Sequence, residues 1–243
     1  MTRHSNPFMK ERRRLRVVTY NVHACIGADG EFSPQRICDI LSELEADFVG
    51  IQELEDRVLG TELVSEYLAR NLDMLAYRGS TLMRQDAHYG NLLLCREPAQ
   101  TMRLHDISVP GREPRGVIEA IYGLLGQRVR VLVTHFGLKA RERRSQADRL
   151  LTIAASGNAD VDVILGDLNE WRPVSYTIRT LNSRFPVVYR RRTWPARRPL
   201  LPLDCVCISP ASVEHCIRIE RSRATRDASD HLPLICDLTV PAA

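Results

Sequence analysis

Two stretches of the chain repeat one pattern of apolar and polar positions. In the first, the apolar run at 15–22 leads through a glycine-containing loop to 34–45, where Ile37, Ile40, Leu41 and Leu44 are apolar. Phe48-Val49-Gly50-Ile51 follows and ends at Gln52-Glu53. In the second, the run at 129–134 ends at His135, a helix is expected over about 139–155, and 161–165 runs into Gly166-Asp167-Leu168-Asn169. Apolar spacings of three and four predict helices with one buried face, and short, unbroken β-branched runs predict strands covered on both faces. Strand, crossover helix and second strand together predict an α/β layered protein. In both units the polar residues gather where the strands end.

The rest of the chain reads as shorter strands at 91–95, 116–125, 203–208 and 232–238, punctuated by turns such as Arg96-Glu97-Pro98 and Val109-Pro110-Gly111. Residues 63–72 look helical, as does the region 174–181, with Pro173 expected near its first turn. This mixture predicts two β-sheets packed face to face with helices outside. The order of the strands cannot be read from the pattern.

Composition narrows the class without naming a chemistry. The chain has 243 residues, 44% hydrophobic and 26% charged, which excludes a disordered or fibrous protein and suits one domain. We expect a basic tail over 1–14 and a single domain over 15–240. No apolar stretch approaches the roughly 18 residues of a membrane span, and no signal-peptide pattern follows the basic start. A soluble, cytoplasmic monomer is the expectation. The seven cysteines are odd in number, scattered and free of C-x-x-C pairs, which favours reduced, buried thiols. A net charge of +4 favours an anionic partner only mildly.

Candidate chemistry lies at the strand ends. Asp167 and Asn169, two apart after an apolar strand, can aim an acid and an amide at one spot, or can form an Asx turn. Glu53 is either a site carboxylate or the solvated start of a loop. Asn21, with His23 just beyond it, is unusual at a strand end but is also a common turn former. Asp230-His231 can present a metal ligand beside a proton donor. Asp204 can accept a hydrogen bond from a histidine and favour its charged form, or is a strand-edge charge. His135 is the second histidine at a strand terminus.

Taken in order, Thr-Tyr-Asn-Val-His (19–23), Ile-Gln-Glu (51–53), Tyr-Gly-Asn (89–91), Thr-His-Phe-Gly-Leu (134–138), Gly-Asp-Leu-Asn (166–169), Leu-Asp (203–204) and Ser-Asp-His-Leu-Pro (229–233) resemble the endonuclease/exonuclease/phosphatase superfamily, the fold of deoxyribonuclease I. The resemblance spans about 15–240, closest to small bacterial members of unassigned substrate. It implies a four-layered α/β sandwich of two mixed, mainly antiparallel sheets flanked by helices, and makes the single domain catalytic. It also implies a phosphodiesterase that attacks in line with activated water, most simply a nuclease. The alternatives are a phospholipid or small-molecule phosphodiesterase, a phosphatase, or a silent binding protein.

By the same resemblance, Glu53, Asn21 and Asp230 would hold Mg²⁺ or Mn²⁺, hard ions suited to oxygen ligands. Asp167 would orient or deprotonate water, and Asn169 would hold that water or the phosphate. His231, paired with Asp204, would donate to a phosphate oxygen as charge develops, and His135 would contact the phosphate or protonate the leaving oxygen. Asn91, Arg115 and Trp194 are expected to touch substrate. Trp194 lies in the basic segment 190–198, which can grip phosphates and stack a base, or can be a solvated loop whose tryptophan packs on the domain. Arg141, Arg143, Arg144 and Arg149 read as a solvated helix face.

Overall fold

The computed structural model describes residues 12–84 and 86–241. Its elements begin with β1 (Arg12–Asn21), a single 3-10 turn (His23–Cys25), α1 (Pro34–Leu44), β2 (Phe48–Asp56), the short pair β3 (Val58–Leu59) and β4 (Glu62–Leu63), and α2 (Val64–Leu72). Next come β5 (Leu75–Arg84), β6 (Ala87–Cys95), β7 (Thr101–Asp106), β8 (Gly116–Leu124), β9 (Gln127–His135) and α3 (Ala140–Ala155). The chain finishes with β10 (Val161–Asp167), α4 (Tyr176–Asn182), β11 (Val187–Arg190), β12 (Asp204–Ser209), β13 (Glu214–Ile219), α5 (Arg223–Ala228) and β14 (Leu234–Pro241).

Ten of these strands and β11 and β13 make two six-stranded sheets, ordered β13-β14-β1-β2-β6-β5 and β11-β12-β10-β9-β8-β7. Each sheet holds one parallel pair at its centre, β1 with β2 and β9 with β10, and every other ladder is antiparallel. The parallel pairs are the two repeated units of the sequence, because a parallel neighbour requires a crossover, here α1 and α3.

Three apolar cores account for four layers. Alternate residues of one strand go to opposite faces: Val17 joins the core between the sheets and Val18 the core under α1. Likewise Val163 and Leu165 face the other sheet while Ile164 faces α3. The middle core holds Leu93, Val131, Val133, Val206 and Leu234. The outer cores seat Ile37, Ile40, Leu41 and Leu44 of α1 and Ala147, Leu150 and Ile153 of α3. Strands covered on both faces carry apolar residues on both, which is why 15–22 and 161–165 show no strict alternation; Asp162, buried among them, is paired with Arg130. The sheets come close at two glycines: a Cβ on Gly50 would lie 2.9 Å from Leu165 Cβ, and one on Gly79 2.5 Å from Ile118 Cγ1.

Several boundaries and burials differ from the expectation. β1 starts at Arg12, so three residues of the expected tail pair with β14, and 1–11 lie outside the described residues. α4 begins after Ser175, whose hydroxyl accepts from Ile178 N; Pro173 lies two residues upstream in the loop and does not open it. β5, β7, β11, β13 and α5 are additions. They are short or half-exposed, so their apolar pattern is weak. Arg143 is buried rather than solvated, 1% exposed, with Glu170 Oε2 at 3.4 Å. Six cysteines are buried and Cys216 is exposed.

Candidate active site

The ends of both parallel pairs meet at one edge of the sandwich, the usual ligand side of parallel strands. β1 delivers Asn21 and β2 delivers Glu53; β9 delivers His135 and β10 Asp167. Glu53 sits where the β2–β6 register shifts between Ile51 and Leu54, at φ 56°. A bulge of this kind re-aims one side chain out of the alternation, and a positive φ in a non-glycine residue is strain held by its surroundings. Gly166 lets Asp167 approach: a Cβ there would lie 2.6 Å from Thr134 O.

Asp167 is at the centre of the cluster. It is 1% exposed. Its Oδ1 accepts from Asn169 N at 2.8 Å and its Oδ2 from Asn21 Nδ2 at 3.0 Å, a bond that joins the two sheets. Asn21 Nδ2 also donates to Glu53 Oε1 at 3.1 Å, while its Oδ1 accepts from His23 N. Asn21 therefore turns its NH₂ to both carboxylates. The Asx turn at 167–169 and the site are one structure, since the turn orients the carboxylate and holds Asn169 at φ 49°.

Two histidines flank this carboxylate. His231 Nδ1 lies 2.9 Å from Asp204 Oδ2 and its Nε2 lies 3.7 Å from Asp167 Oδ2. Burial alone would lower the His231 pKa, but Asp204, then Asp167 and Asp230, overcome this and raise it to about 10. His231 is therefore an imidazolium at neutral pH. His135 Nε2 also lies 3.7 Å from Asp167 Oδ2, and 3.7 Å from Glu53 Oε1. Its pKa is pushed well below the ordinary value by burial, then by Arg115, His231 and Arg84. Asn169 Nδ2 donates to Phe136 O at 3.0 Å and faces His135 Nε2 at the same distance. With the NH₂ fixed by a carbonyl, His135 Nε2 must accept, which places its proton on Nδ1. Burial pushes the Asp167 carboxyl up to about 6, against the opposing pull of His231.

The last loop closes the site. Ser229 Oγ donates to Asn21 O at 2.7 Å and accepts from His231 N at 3.2 Å. Asp230 belongs to neither compact cluster: those are Glu53–His135–Asp167 and Asp167–Asp204–His231 among the described residues. Trp194 Nε1 donates to Asp230 Oδ2 at 2.9 Å, and Ala196 N to Asp230 O at 2.7 Å, so the 193–196 segment clamps Asp230. Trp194 is half-buried. The buried Oδ1 atoms of Asp230 and Asp204 have no hydrogen-bond partner.

Asn91 and Arg115 stand to the other side. Asn91 Nδ2 donates to Gly116 O at 3.2 Å. Arg115 is buried, paired with Glu113 at 2.5 Å, and its Nε has no partner. A cavity of about 420 Å³ opens beside it, lined also by Ser80, Thr81, His105 and Ser108. Sequence reasoning missed Ser229 as a stitch and Arg84 as a neighbour of His135. Arg84 stacks over Tyr89, 3.6 Å from the ring centroid. Tyr89 belongs to the Tyr-Gly-Asn motif, but its pairing with β5 is a tertiary fact.

The endonuclease/exonuclease/phosphatase family profile matches residues 18–231. The chain belongs to this family. It is 26% identical over 255 residues to the Escherichia coli K12 protein YbhP, described as uncharacterized, with 96% of this chain and 99% of YbhP covered. The fold matches a Beutenbergia cavernae family member at TM-score 0.76 and 23% identity, covering 94% of this chain and 72% of that one. A Bacteroides vulgatus member matches at 0.75 and 18%, covering 93% and 98%. D. rerio TDP2, crystallised with a single-strand DNA product, matches at 0.70 and 17%, covering 93% and 98%. The family includes phosphodiesterases, and this member's acid–histidine cluster could bind a metal.

Proposed function

We propose that the protein hydrolyses phosphodiesters with the aid of a divalent cation, by in-line attack of water. The observation that carries this reading is Asp167: a buried carboxylate pushed up to about 6, held by two N–H donors, with an imidazolium 3.7 Å away. A base whose pKa lies near the working pH combines availability with proton affinity. Asp167 takes the proton from water. Asn169, fixed by the turn, leaves its amide oxygen for that water. His231, kept charged by Asp204, donates to a non-bridging oxygen as negative charge develops. His135 is neutral, with Nε2 engaged by Asn169, so contact with the phosphate suits it better than proton donation to the leaving oxygen.

Glu53, with His135 and Asp167 within reach of one ion, and Asp230, whose buried Oδ1 has no partner, offer mainly oxygen donors and would suit a hard cation. Asn21 would ligate only after its amide turned over and released His23 N. Mg²⁺ or Mn²⁺ bound there would neutralise a phosphate oxygen and the leaving-group charge. Arg115, Asn91 and the cavity between β5 and β8 would take the flanking part of the substrate.

The test uses purified protein, Mg²⁺ and bis(p-nitrophenyl) phosphate. Asp167→Asn and His231→Ala are each expected to lose about 10²–10⁴-fold in turnover, and a chelator to stop it. Turnover near wild type in both variants would end this assignment. Nucleic acid and phospholipid both carry the bond that this chemistry cleaves; the surface beside the cleft, rather than the cleft, separates them.

A further inference from the structure

Four of the large apolar side chains left exposed in the structure stand together beside the cleft. Leu138 is 67% exposed, Val174 71%, Trp171 45% and Tyr176 38%. Leu138 follows His135 by three residues and Trp171 follows Asn169 by two, so this rim adjoins the catalytic cluster directly. Val174 and Tyr176 border one depression at the start of α3 and α4.

The exposure is built in. Arg143, buried, donates to Leu138 O at 2.6 Å and pairs with Glu170. Arg190 donates to Glu170 O and, at 3.0 Å, to Arg172 O. Arg172 N donates to Glu170 Oε1 at 3.1 Å. Internal bonds thus hold the 170–172 backbone and the Leu138 carbonyl, and the apolar side chains stay outside. Exposed apolar side chains gathered around Arg143, which bonds the Leu138 carbonyl and lies 5.4 Å from the Trp171 ring, mark an interaction surface.

Charge identifies the partner's sign. Lys139, Arg141, Arg144, Arg172 and Arg179 are exposed around the same patch. Of the nearby acids, Glu142 and Glu170 are buried against Arg112 and Arg143; Asp148, which accepts from Tyr176 OH, keeps its charge and is outnumbered by the five cations. The partner is therefore anionic and has an apolar component.

Two anionic macromolecules fit the sign, and the side chains separate them. Leu138 and Val174 offer no flat face for a base and no hydrogen bond. The rings that do are already engaged: Arg143 and Arg172 lie 5.4 and 5.9 Å from the Trp171 centroid, and Arg144 lies 5.0 Å from that of Tyr176. Aliphatic and aromatic side chains encircled by arginine and lysine are the composition of an interfacial membrane contact, in which apolar groups enter the acyl boundary and cations meet headgroups.

We propose that this rim docks on an anionic phospholipid surface and that the phosphodiester it brings to Asp167 is that of a lipid headgroup. The proposal rests on the phosphodiesterase reading for its second half only.

The experiment is flotation of the purified protein with vesicles of phosphatidylcholine alone or with about one third phosphatidylglycerol, alongside hydrolysis of bis(p-nitrophenyl) phosphate and release of headgroup phosphate. Wild type is expected on the mixed vesicles and not on phosphatidylcholine alone. Leu138→Ser with Val174→Ser is expected to lower partitioning at least about tenfold, since each buried aliphatic group adds to interfacial affinity. Arg141→Gln with Arg172→Gln is expected to cost about twenty-five-fold, about fivefold per cation. Both double variants should keep full turnover of the soluble diester, which shows that they fold and that the catalytic residues are intact. Failure of wild type to float, or flotation unchanged in both variants, overturns the docking proposal. Loss of single-stranded oligonucleotide binding in the same variants, without vesicle binding, assigns the rim to nucleic acid and also overturns it. Vesicle binding with hydrolysis of the soluble diester but not of lipid overturns the substrate half. Vesicle binding with no hydrolysis of either diester refutes the phosphodiesterase reading and leaves docking standing.

Discussion

His231 and His135 stand on two sides of one carboxylate, each with Nε2 3.7 Å from Asp167 Oδ2, yet one is charged and the other neutral. Distance to Asp167 cannot explain this. The difference lies at the rest of each ring: His231 meets Asp204 at 2.9 Å, whereas His135 has an amide NH₂ at Nε2 and feels Arg115 and Arg84. A buried histidine keeps its proton only when nearby carboxylates outweigh the cost of burial. The same residue type thereby supplies a cationic donor on one side of the site and a neutral contact on the other.

The largest effect should come from breaking the charged side. Asp204→Asn leaves the hydrogen bond geometry available but removes the charge that holds the imidazolium. We expect about 10²-fold lower turnover, the scale of losing one oxyanion donor, and a falling alkaline limb that moves from near pH 10 toward the ordinary histidine value. The wild-type rate should rise as Asp167 ionises near pH 6 and fall as His231 loses its proton near pH 10. These two values belong to the interacting group, so a pH–rate profile of each variant is the appropriate measurement. If Asp204→Asn leaves the alkaline limb unmoved, Asp204 does not set the charge of His231.

A smaller loss is expected on the neutral side. His135→Gln keeps an acceptor for Asn169 and removes one contact, which is worth about tenfold in rate, with no change in either limb of the profile. A loss as large as that of His231→Ala would mean that His135 moves a proton.

The smallest and most direct contrast is in stability, measured by thermal unfolding with a chelator present. For His231 the folded pKa, about 10, is above the unfolded value near 6.5. Its stabilisation is complete below pH 6.5 and is lost as pH rises toward 10. For His135 the folded value is depressed, so its stabilisation is present above pH 6.5 and is lost as pH falls below it. His231→Gln should flatten the alkaline side of the stability curve and His135→Gln the acid side. Flattening of the same side by both would show that the two rings share one environment.

Much of the fold was legible because both parallel units have strands rich in apolar, β-branched residues and a helix with one apolar face. Elements such as β5 and β7 were not, since half-exposed strands near a sheet edge carry mixed side chains and gain their stability from pairing. In the site, Asp167, Asn169, Asp204 and His231 were visible as polar residues at strand ends. The clamp of Trp194 on Asp230 was not, because it links residues 36 apart through loops. The burial of Arg143 was not either: its helix pattern is that of a solvated residue, and burial is tolerable because Glu170 and the Leu138 carbonyl meet its guanidinium.

The two strand–helix–strand units, the layering and the kinds of side chain that end the strands follow from periodicity and local propensity, which depend on neighbours in the chain. The strand order, the bulge that turns Glu53 into the cleft, which histidine is charged, and the apolar rim held open beside the site are set by packing. Each of these depends on groups far apart in sequence, through burial and electrostatics that exist only once the two sheets have packed.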